Sequence, residues 1–469
     1  MSSRQRISQF NLLDKSIPPN RIIWYLAWPT IIEQILQSMV QYVDSAMVGS
    51  LGASATAAVA VNTSTIWLLN GLMNAAAVGF SVLVAREIGA GSQERARDVV
   101  RQSILCTVIM GLVLTSVMQV IAGFLPTWMG AADDVAQNAV VYMRYIAAVF
   151  PFTMAMIVFS AIIRSSGDTR TPLMFNLLTN ILNIIGNFLL IFPTRQINVG
   201  SLTFIMWGAD MGVGGAALSS AISTSFSGLC LFAALFMKDH PAKITWKGSW
   251  RFDASLLKTV ARLGTPVALE RATLSFGQIA LTKLITGLGT VSLAAHHLAN
   301  TAESITYLPP SGFSTAATTL VAQSLGSKDK ELAKRYGKLC TIYGTALMTV
   351  MGVLLYVLAP QLMRVFTRDA AVIELGARVL RIEAFAEPFF GLSMLIFGVL
   401  RGAGDTKGPF LISIFGMWIV RLPLAWILVT FTGLGLAGAW IAMMCDLVVR
   451  GICCLWRFRG GRWLSVWEA

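Results

Sequence analysis

Arg164-Ser165-Ser166-Gly167-Asp168-Thr169-Arg170-Thr171-Pro172 returns 237 positions later as Arg401-Gly402-Ala403-Gly404-Asp405-Thr406-Lys407-Gly408-Pro409. In both copies a long apolar run ends at an Arg. A Gly-Asp-Thr turn with a second cation then leads to a Pro that opens the next apolar run. Cations suit helix ends at a membrane surface, Gly permits the reversal, Asp or Thr can cap the following helix, and Pro fits its first turn. The motif reads as a membrane hairpin used twice.

The same offset pairs Pro29 with Pro266, Glu33 with Glu270, Gly89 with Gly326, Arg144 with Arg381 and Pro151 with Pro388. Paired prolines and a paired intramembrane Glu at one separation identify an internal duplication. Six spans per half put the halves in the same orientation, related by an axis along the membrane normal. The predicted fold is an all-α membrane protein of twelve transmembrane helices in two six-helix lobes with pseudo-two-fold symmetry. The expected domains are residues 1–237, a cytoplasmic linker 238–257 bearing Trp246 and Trp250, and residues 258–469.

Composition agrees with that reading. The 469 residues are 55% hydrophobic and 13% charged, with mean hydropathy +0.68, too apolar for a soluble chain of this size. The net charge of +13 is not a nucleic-acid footprint, because its location follows the positive-inside rule. Segments predicted inside hold Arg4, Arg6, Arg86, Arg95, Arg97, Arg101, Lys238, Lys243 and Lys247, among others, whereas the outside loops hold only Arg195, Lys283, Arg364 and Arg368. Both termini are therefore expected in the cytoplasm, in a multi-pass protein of a bacterial cytoplasmic membrane. The six cysteines show no metal-ligand spacing, and the polar first twenty residues predict no cleavable leader.

Polar residues inside spans mark the candidate site. In span one, about Ile22 to Val48, Glu33, Gln37, Gln41 and Asp44 are spaced for one helix face. Lipid cannot solvate such a stripe, so it lines a cavity between lobes or a buried seam. In span five Asn176, Asn180, Asn183 and Asn187 make a neutral face. Span seven carries Glu270 and, farther along, Gln278; span eight carries His296, His297, Asn300 and Glu303 before Pro309-Pro310. In span ten, Glu383 is expected to pair with Arg378 or Arg381, and Glu387 precedes Pro388. Pro151 is expected to kink span four. The outer loop Pro193 to Met211 is about 14 residues longer than its counterpart.

With its two homologous halves the chain resembles the multidrug and toxic compound extrusion (MATE) transporters. The matching stretches are Pro29 with Val43-Asp44-Ser45-Ala46-Met47-Val48-Gly49, Ala294-Ala295-His296, and Leu400 through Thr406. The resemblance implies an antiporter, not an enzyme, that exports organic and often cationic compounds by alternating access, driven by Na⁺ or H⁺, with no other cofactor. It implies cation coupling at Glu270, with Na⁺ there in a Na⁺-driven case, and at Asp44. The second-lobe site is built from Glu270 and Glu387, or Glu270 acts alone. Glu33, Gln37, Gln41, Asn180, Asn183, Asn187, Gln278 and His296 are expected to line the substrate cavity. Where one branch of the family has an Asp after the span-five Asn, this chain has Asn187.

The expected partners are small organic substrates and the lipid bilayer, with no nucleic acid and a functional monomer. A flippase for a lipid-linked intermediate is the alternative, and it would call for a cationic groove. A membrane transferase would need clustered acids for Mg²⁺, and the adjacent pair Asp133-Asp134 stands alone in an outer loop.

Overall fold

The computed structural model describes residues 12–199, 202–237 and 240–468. Arg4, Arg6 and Lys238 lie outside the described residues, as do the side chains of Asp133 and Asp134. In chain order the first half contains α1 (Pro19–Gly49), α2 (Ala53–Gly89), α3 (Gln93–Ile121), α4 (Leu125–Trp128), α5 (Asp133–Ala148), α6 (Phe150–Ser165), α7 (Arg170–Leu190), β1 (Pro193–Val199), β2 (Leu202–Ala209) and α8 (Gly212–Met237). The second contains α9 (Ala254–Thr286), α10 (Thr290–Ser304), α11 (Leu308–Gly326), α12 (Lys330–Phe366), α13 (Ala370–Ala384), α14 (Glu387–Gly402), α15 (Lys407–Ile414), a π-helical segment Phe415–Arg421, α16 (Leu422–Phe431) and α17 (Gly435–Arg459).

With α5–α6, α10–α11, α13–α14 and α15–α16 each taken as one broken span, these are the twelve expected spans. Among the described residues, seven helices are long and apolar enough to cross a membrane, and two bent pairs raise the number to nine. The remaining three, α1, α9 and the α10–α11 pair, are those in which the sequence places Glu33 and Asp44, Glu270 and Arg271, and His296 to Glu303. The bends fall where proline predicts them. The α5–α6 pair turns by 52° and α13–α14 by 56°, and Pro151 and Pro388 each occupy the first turn of the second helix. A proline there lacks only an N–H that the helix start leaves unpaired in any case.

The duplicated turn folds as its sequence requires. Gly167 and Gly404 take positive φ of 101° and 79°, a region open to Gly without steric cost. Asp168 Oδ1 accepts from the backbone N–H groups of Arg170 (3.2 Å) and Thr171 (3.0 Å), and Asp405 Oδ1 from that of Gly408 (3.1 Å). Asp supplies the cap at both turns, while Thr169 and Thr406 make no side-chain capping bond. The long outer loop proved to be an antiparallel hairpin, β1 on β2, pairing Gln196 with Ile205 and Ile197 with Phe204. Its β-branched and aromatic residues carry that signal in the sequence.

The chain divides into two compact units. The first contains Ile35–Val84 and Gln93–Lys258; the second contains Gln9–Gln34, Ala85–Ser92 and Thr259–Ala469. This division departs from the sequence halves at two places, because the start of α1 and the end of α2 group with the second unit. The cause is packing within that unit: Leu12, Ile22, Ile23, Leu26 and Ala27 join a core with Phe313, Leu320, Tyr336 and Leu400. Trp24 meets Phe313 edge-on at 5.0 Å, and Tyr336 Oη donates to the Leu12 carbonyl at 2.9 Å. In the first unit the linker is tied to α3, where Arg101 Nη2 donates to the Lys247 carbonyl and Gln102 Nε2 to the Arg251 carbonyl, both at 2.6 Å.

Asp329 caps α12 by accepting from the Leu332 N–H at 2.9 Å and pairs with Lys15 Nζ at 2.7 Å. Lys15 first, then that N–H, hold its carboxyl below the usual carboxylate range. A folded-state value depressed in this way gives stability that is present above the unfolded value of about 4 and is lost as pH falls through the folded one. Asp329→Ala is expected to cost about 0.5–2 kcal/mol at neutral pH, with Asp329→Asn losing less because the amide still caps. Thermal unfolding at neutral and acid pH checks this: the wild-type and Ala curves should converge in acid.

Candidate functional site

The first unit holds a ladder of amides ending on one carboxylate. α7 turns Asn183 and Asn187 inward, at 4% and 0% exposure, as their spacing of one helical turn requires. Asn187 Nδ2 donates to Asp44 Oδ1 on α1 and reaches Asn183 Oδ1 at 3.4 Å. Asn183 Nδ2 donates to Ser220 Oγ at 3.1 Å, and its own backbone carbonyl accepts from Ser219 Oγ at 2.8 Å. Gly186 lets α8 come this close, since a Cβ there would meet Ser219 Oγ. Asp44 is half-buried, beside an apolar cluster of Met47, Val48, Ala139, Ile191 and Val213. Among the described residues no cation pairs with it.

The stripe on α1 does not share one environment. Glu33 is 1% exposed within the second unit, whereas Gln37 is half-buried and Gln41 exposed in the first. Asn180 is half-buried, and its Nδ2 has no hydrogen-bond partner among the described residues. Spacing set the shared face; the packing of the helix start into a different core set the different surroundings.

In the second unit the acids are sorted by their partners. Glu270 accepts from Arg401 Nη2 with both carboxylate oxygens at 2.9 Å, and Ser413 Oγ stands 3.4 Å from its Oε1. Its partner is thus the Arg that ends the apolar run before the second Gly-Asp-Thr turn. Asp405 in the same turn is held by Arg457 Nε at 2.7 Å and Nη2 at 2.9 Å. Glu387 accepts from Thr306 Oγ1 at 2.8 Å and stands beside Glu303 and Glu383. Glu270 and Glu387 therefore have separate partners.

Glu383 does not pair with Arg378 or Arg381. It is 1% exposed and faces Glu303, Arg421, Glu387 and Asp446, while Arg381 lies over the Tyr356 ring with its Cζ 5.7 Å from the centroid. Two residues apart on α13, Arg381 and Glu383 point to nearly opposite faces of the helix, so Glu383 is buried while Arg381 is exposed. Asp446 is fully buried and takes Arg421 Nε at 2.8 Å and Arg450 Nε and Nη2 at 2.6 Å. Gly416, in the π-helical segment, makes room for that pair, because a Cβ would meet Asp446 Oδ1 and Arg450 Nε. Spacing by four residues was the signal for the Asp446–Arg450 pair.

His296 is a core residue at 4% exposure. Trp440 Nε1 donates to its Nδ1 at 3.1 Å; an indole N–H only donates, so that ring nitrogen must accept and the imidazole is neutral. Gln278 is half-buried on α9. Among the described residues no three of His, Cys, Asp and Glu converge as metal ligands.

Comparison with known proteins sets these features beside transporters. The family model described as MatE matches residues 29–189 and 266–427, one stretch in each half. A Thermotoga maritima protein named probable multidrug resistance protein NorM is 29% identical over 438 residues, covering 93% of this chain and 92% of its own. The uncharacterized transporter YisQ of Bacillus subtilis is 25% identical across 98% of this chain and 99% of its own. Among solved structures, a MOP superfamily transporter from Pyrococcus furiosus superposes with a TM-score of 0.89 at 23% identity, covering 98% of this chain and 100% of that one. A multidrug resistance MATE family transporter in an outward-facing conformation gives 0.88 at 23% identity, covering 97% and 99%. Likeness at that identity establishes the fold.

Proposed function

Because this chain belongs to the MatE family, whose model matches most of both its halves, we propose that it exports organic, often cationic, compounds across the cytoplasmic membrane in exchange for Na⁺ or H⁺. The names of its relatives support multidrug export. The observation that carries ion exchange is Asp44: a half-buried carboxylate in a membrane span, bonded to the Asn187 amide and paired with no cation among the described residues. A carboxylate so placed draws in a proton, a metal cation or an organic cation to offset its charge. Occupants that exclude one another at one carboxylate give antiport, provided the site opens to each side in turn. Glu270, by contrast, already has Arg401 against both its oxygens, which favours a structural part for it and leaves Asp44 as the coupling acid. The functional unit in this reading is a monomer with cytoplasmic termini.

Transport of a fluorescent organic cation in proteoliposomes, with Na⁺ and H⁺ gradients imposed separately, tests the proposal. Wild type should move the dye under one of the gradients, and Asp44→Asn should fall to the rate of protein-free vesicles. Efflux in Asp44→Asn that still follows the ion gradient would remove Asp44 from the mechanism. No movement by wild type under either gradient would overturn the exporter reading itself.

A further inference from the structure

We propose that Arg271 on α9 binds the carboxylate of an organic ligand, so that the compounds this chain selects include amphoteric ones, with an anionic group beside the cationic one. The helical period divides α9 into three faces. Glu270, Gly277 and Leu281 are buried, whereas Leu269, Phe276 and Ile279 are exposed apolar side chains suited to lipid. Between those two faces runs a polar stripe of Arg271, Ser275, Gln278 and Thr282, exposed or half-buried throughout. The side chains of Arg271, Ser275 and Gln278 make no hydrogen bond or ion pair among the described residues. An arginine reaching for the membrane surface would need no such company. Gln278 and Thr282 lie about two and three turns beyond Arg271, farther into the span, where lipid offers a polar group no partner. The stripe therefore faces water within the membrane, and an ionisable residue in that position marks a binding site.

The charge balance around Arg271 says what it would bind. Among the described residues, the groups that act on its charge are Arg401, Glu270 and the Tyr307 phenol. Glu270 already gives both oxygens to Arg401 Nη2, so two guanidiniums share one carboxylate and a single positive charge is left over. Arg401 Nε is buried with no hydrogen-bond partner among the described residues, a second sign that this corner of the second unit is short of an acceptor. A desolvated cation without a counter-charge is costly, and a bound monoanion removes that cost. The planar fork of arginine fits the two oxygens of a carboxylate. One excess charge suits that group better than a phosphate monoester, which carries nearly two. Ser275 and Gln278, on the same face, offer polar atoms to the rest of the ligand and orient it.

The use of this site in transport rests on the exporter reading; its existence does not. The test is equilibrium binding of two xanthene dyes to the full-length protein in phosphatidylcholine nanodiscs, read by fluorescence polarisation. One dye carries a cationic amine and a free carboxylate; the other is its methyl ester. Wild type should bind the acid about ten- to a hundredfold more tightly than the ester. Arg271→Gln should cut that preference to about twofold or less. Arg271→Lys keeps the charge but not the fork and should fall between, which gives a readout should the Gln variant fail to fold. Wild type that does not bind the acid, or that binds acid and ester alike, would overturn the proposal, and so would a preference that both Arg271 substitutions leave intact. Loss of acid binding when phosphatidylglycerol replaces phosphatidylcholine would do so too, by giving the guanidinium to a lipid headgroup. Failure of the exporter reading appears separately, as binding of the acid without gradient-driven movement of either dye in proteoliposomes.

Discussion

Asp446→Ala should lower the stability of the protein by about 3–5 kcal/mol, the largest loss expected from any single substitution considered. Asp446 is 0% exposed, and its two carboxylate oxygens take Arg421 at 2.8 Å and Arg450 at 2.6 Å. Removing the carboxylate leaves two guanidiniums, each 7% exposed, facing one another without compensation. Breaking a buried pair is costly even where building it gained little, because the orphaned charges stay desolvated. A triple variant, Asp446→Leu with Arg421→Met and Arg450→Met, should recover most of the loss, since it removes every ion together. Thermal unfolding and size-exclusion profiles of the purified protein check both statements. Arg457→Ala, which breaks the more exposed Asp405–Arg457 pair, is the control and should cost far less. A fall for Asp446→Ala no larger than the control's would sink the argument.

Gly89→Val and Gly326→Val are expected to be nearly as damaging, through backbone contact rather than charge. Within the second unit a Cβ on Gly89 would meet the Gln323 carbonyl, and a Cβ on Gly326 would meet that of Arg86. The duplication offset that carries Gly89 to Gly326 also carries Arg86 to Gln323, so the two contacts are one contact seen from each repeat. Small residues of this kind let helix backbones touch in a membrane protein. The obstacle is main chain on both sides, so no rotamer change relieves it, and overpacking of about 1–3 kcal/mol per site is the lower expectation. Both variants should show reduced folded yield and a lower Tm. Unchanged values for either would mean that the crossing can open at little cost.

Much of the architecture was legible because it is written locally along the chain. The recurrence of Arg-x-x-Gly-Asp-Thr gave the duplication, and Pro151 and Pro388 gave the two bends. Asp44 and Asn187 were both singled out by their helical spacing and by the cost of polar groups in lipid, and they meet. Glu270 and Glu387 were singled out on the same ground and do not share partners. Asp446 was passed over: its signal, an Arg one helical turn on, was weaker than the motifs around it. Glu383 does not meet its sequence neighbours Arg378 and Arg381 because spacings of five and two residues put them on another face of α13.

The sequence by itself determined the number of spans, the repeat, the turns and which residues were too polar for lipid, since each depends on hydropathy, period and backbone preference within a few residues. The tertiary structure decided which charge meets which: Arg401 rather than Glu387 at Glu270, and Arg421 and Arg450 at Asp446. It also decided that the start of α1 belongs with the second unit. Those outcomes depend on how far each helix is rotated about its axis and which ridges of side chains interlock across helix contacts of about 8–10 Å. An electrostatic pair forms or fails over an ångström or two of that geometry, which no spacing along a single helix encodes.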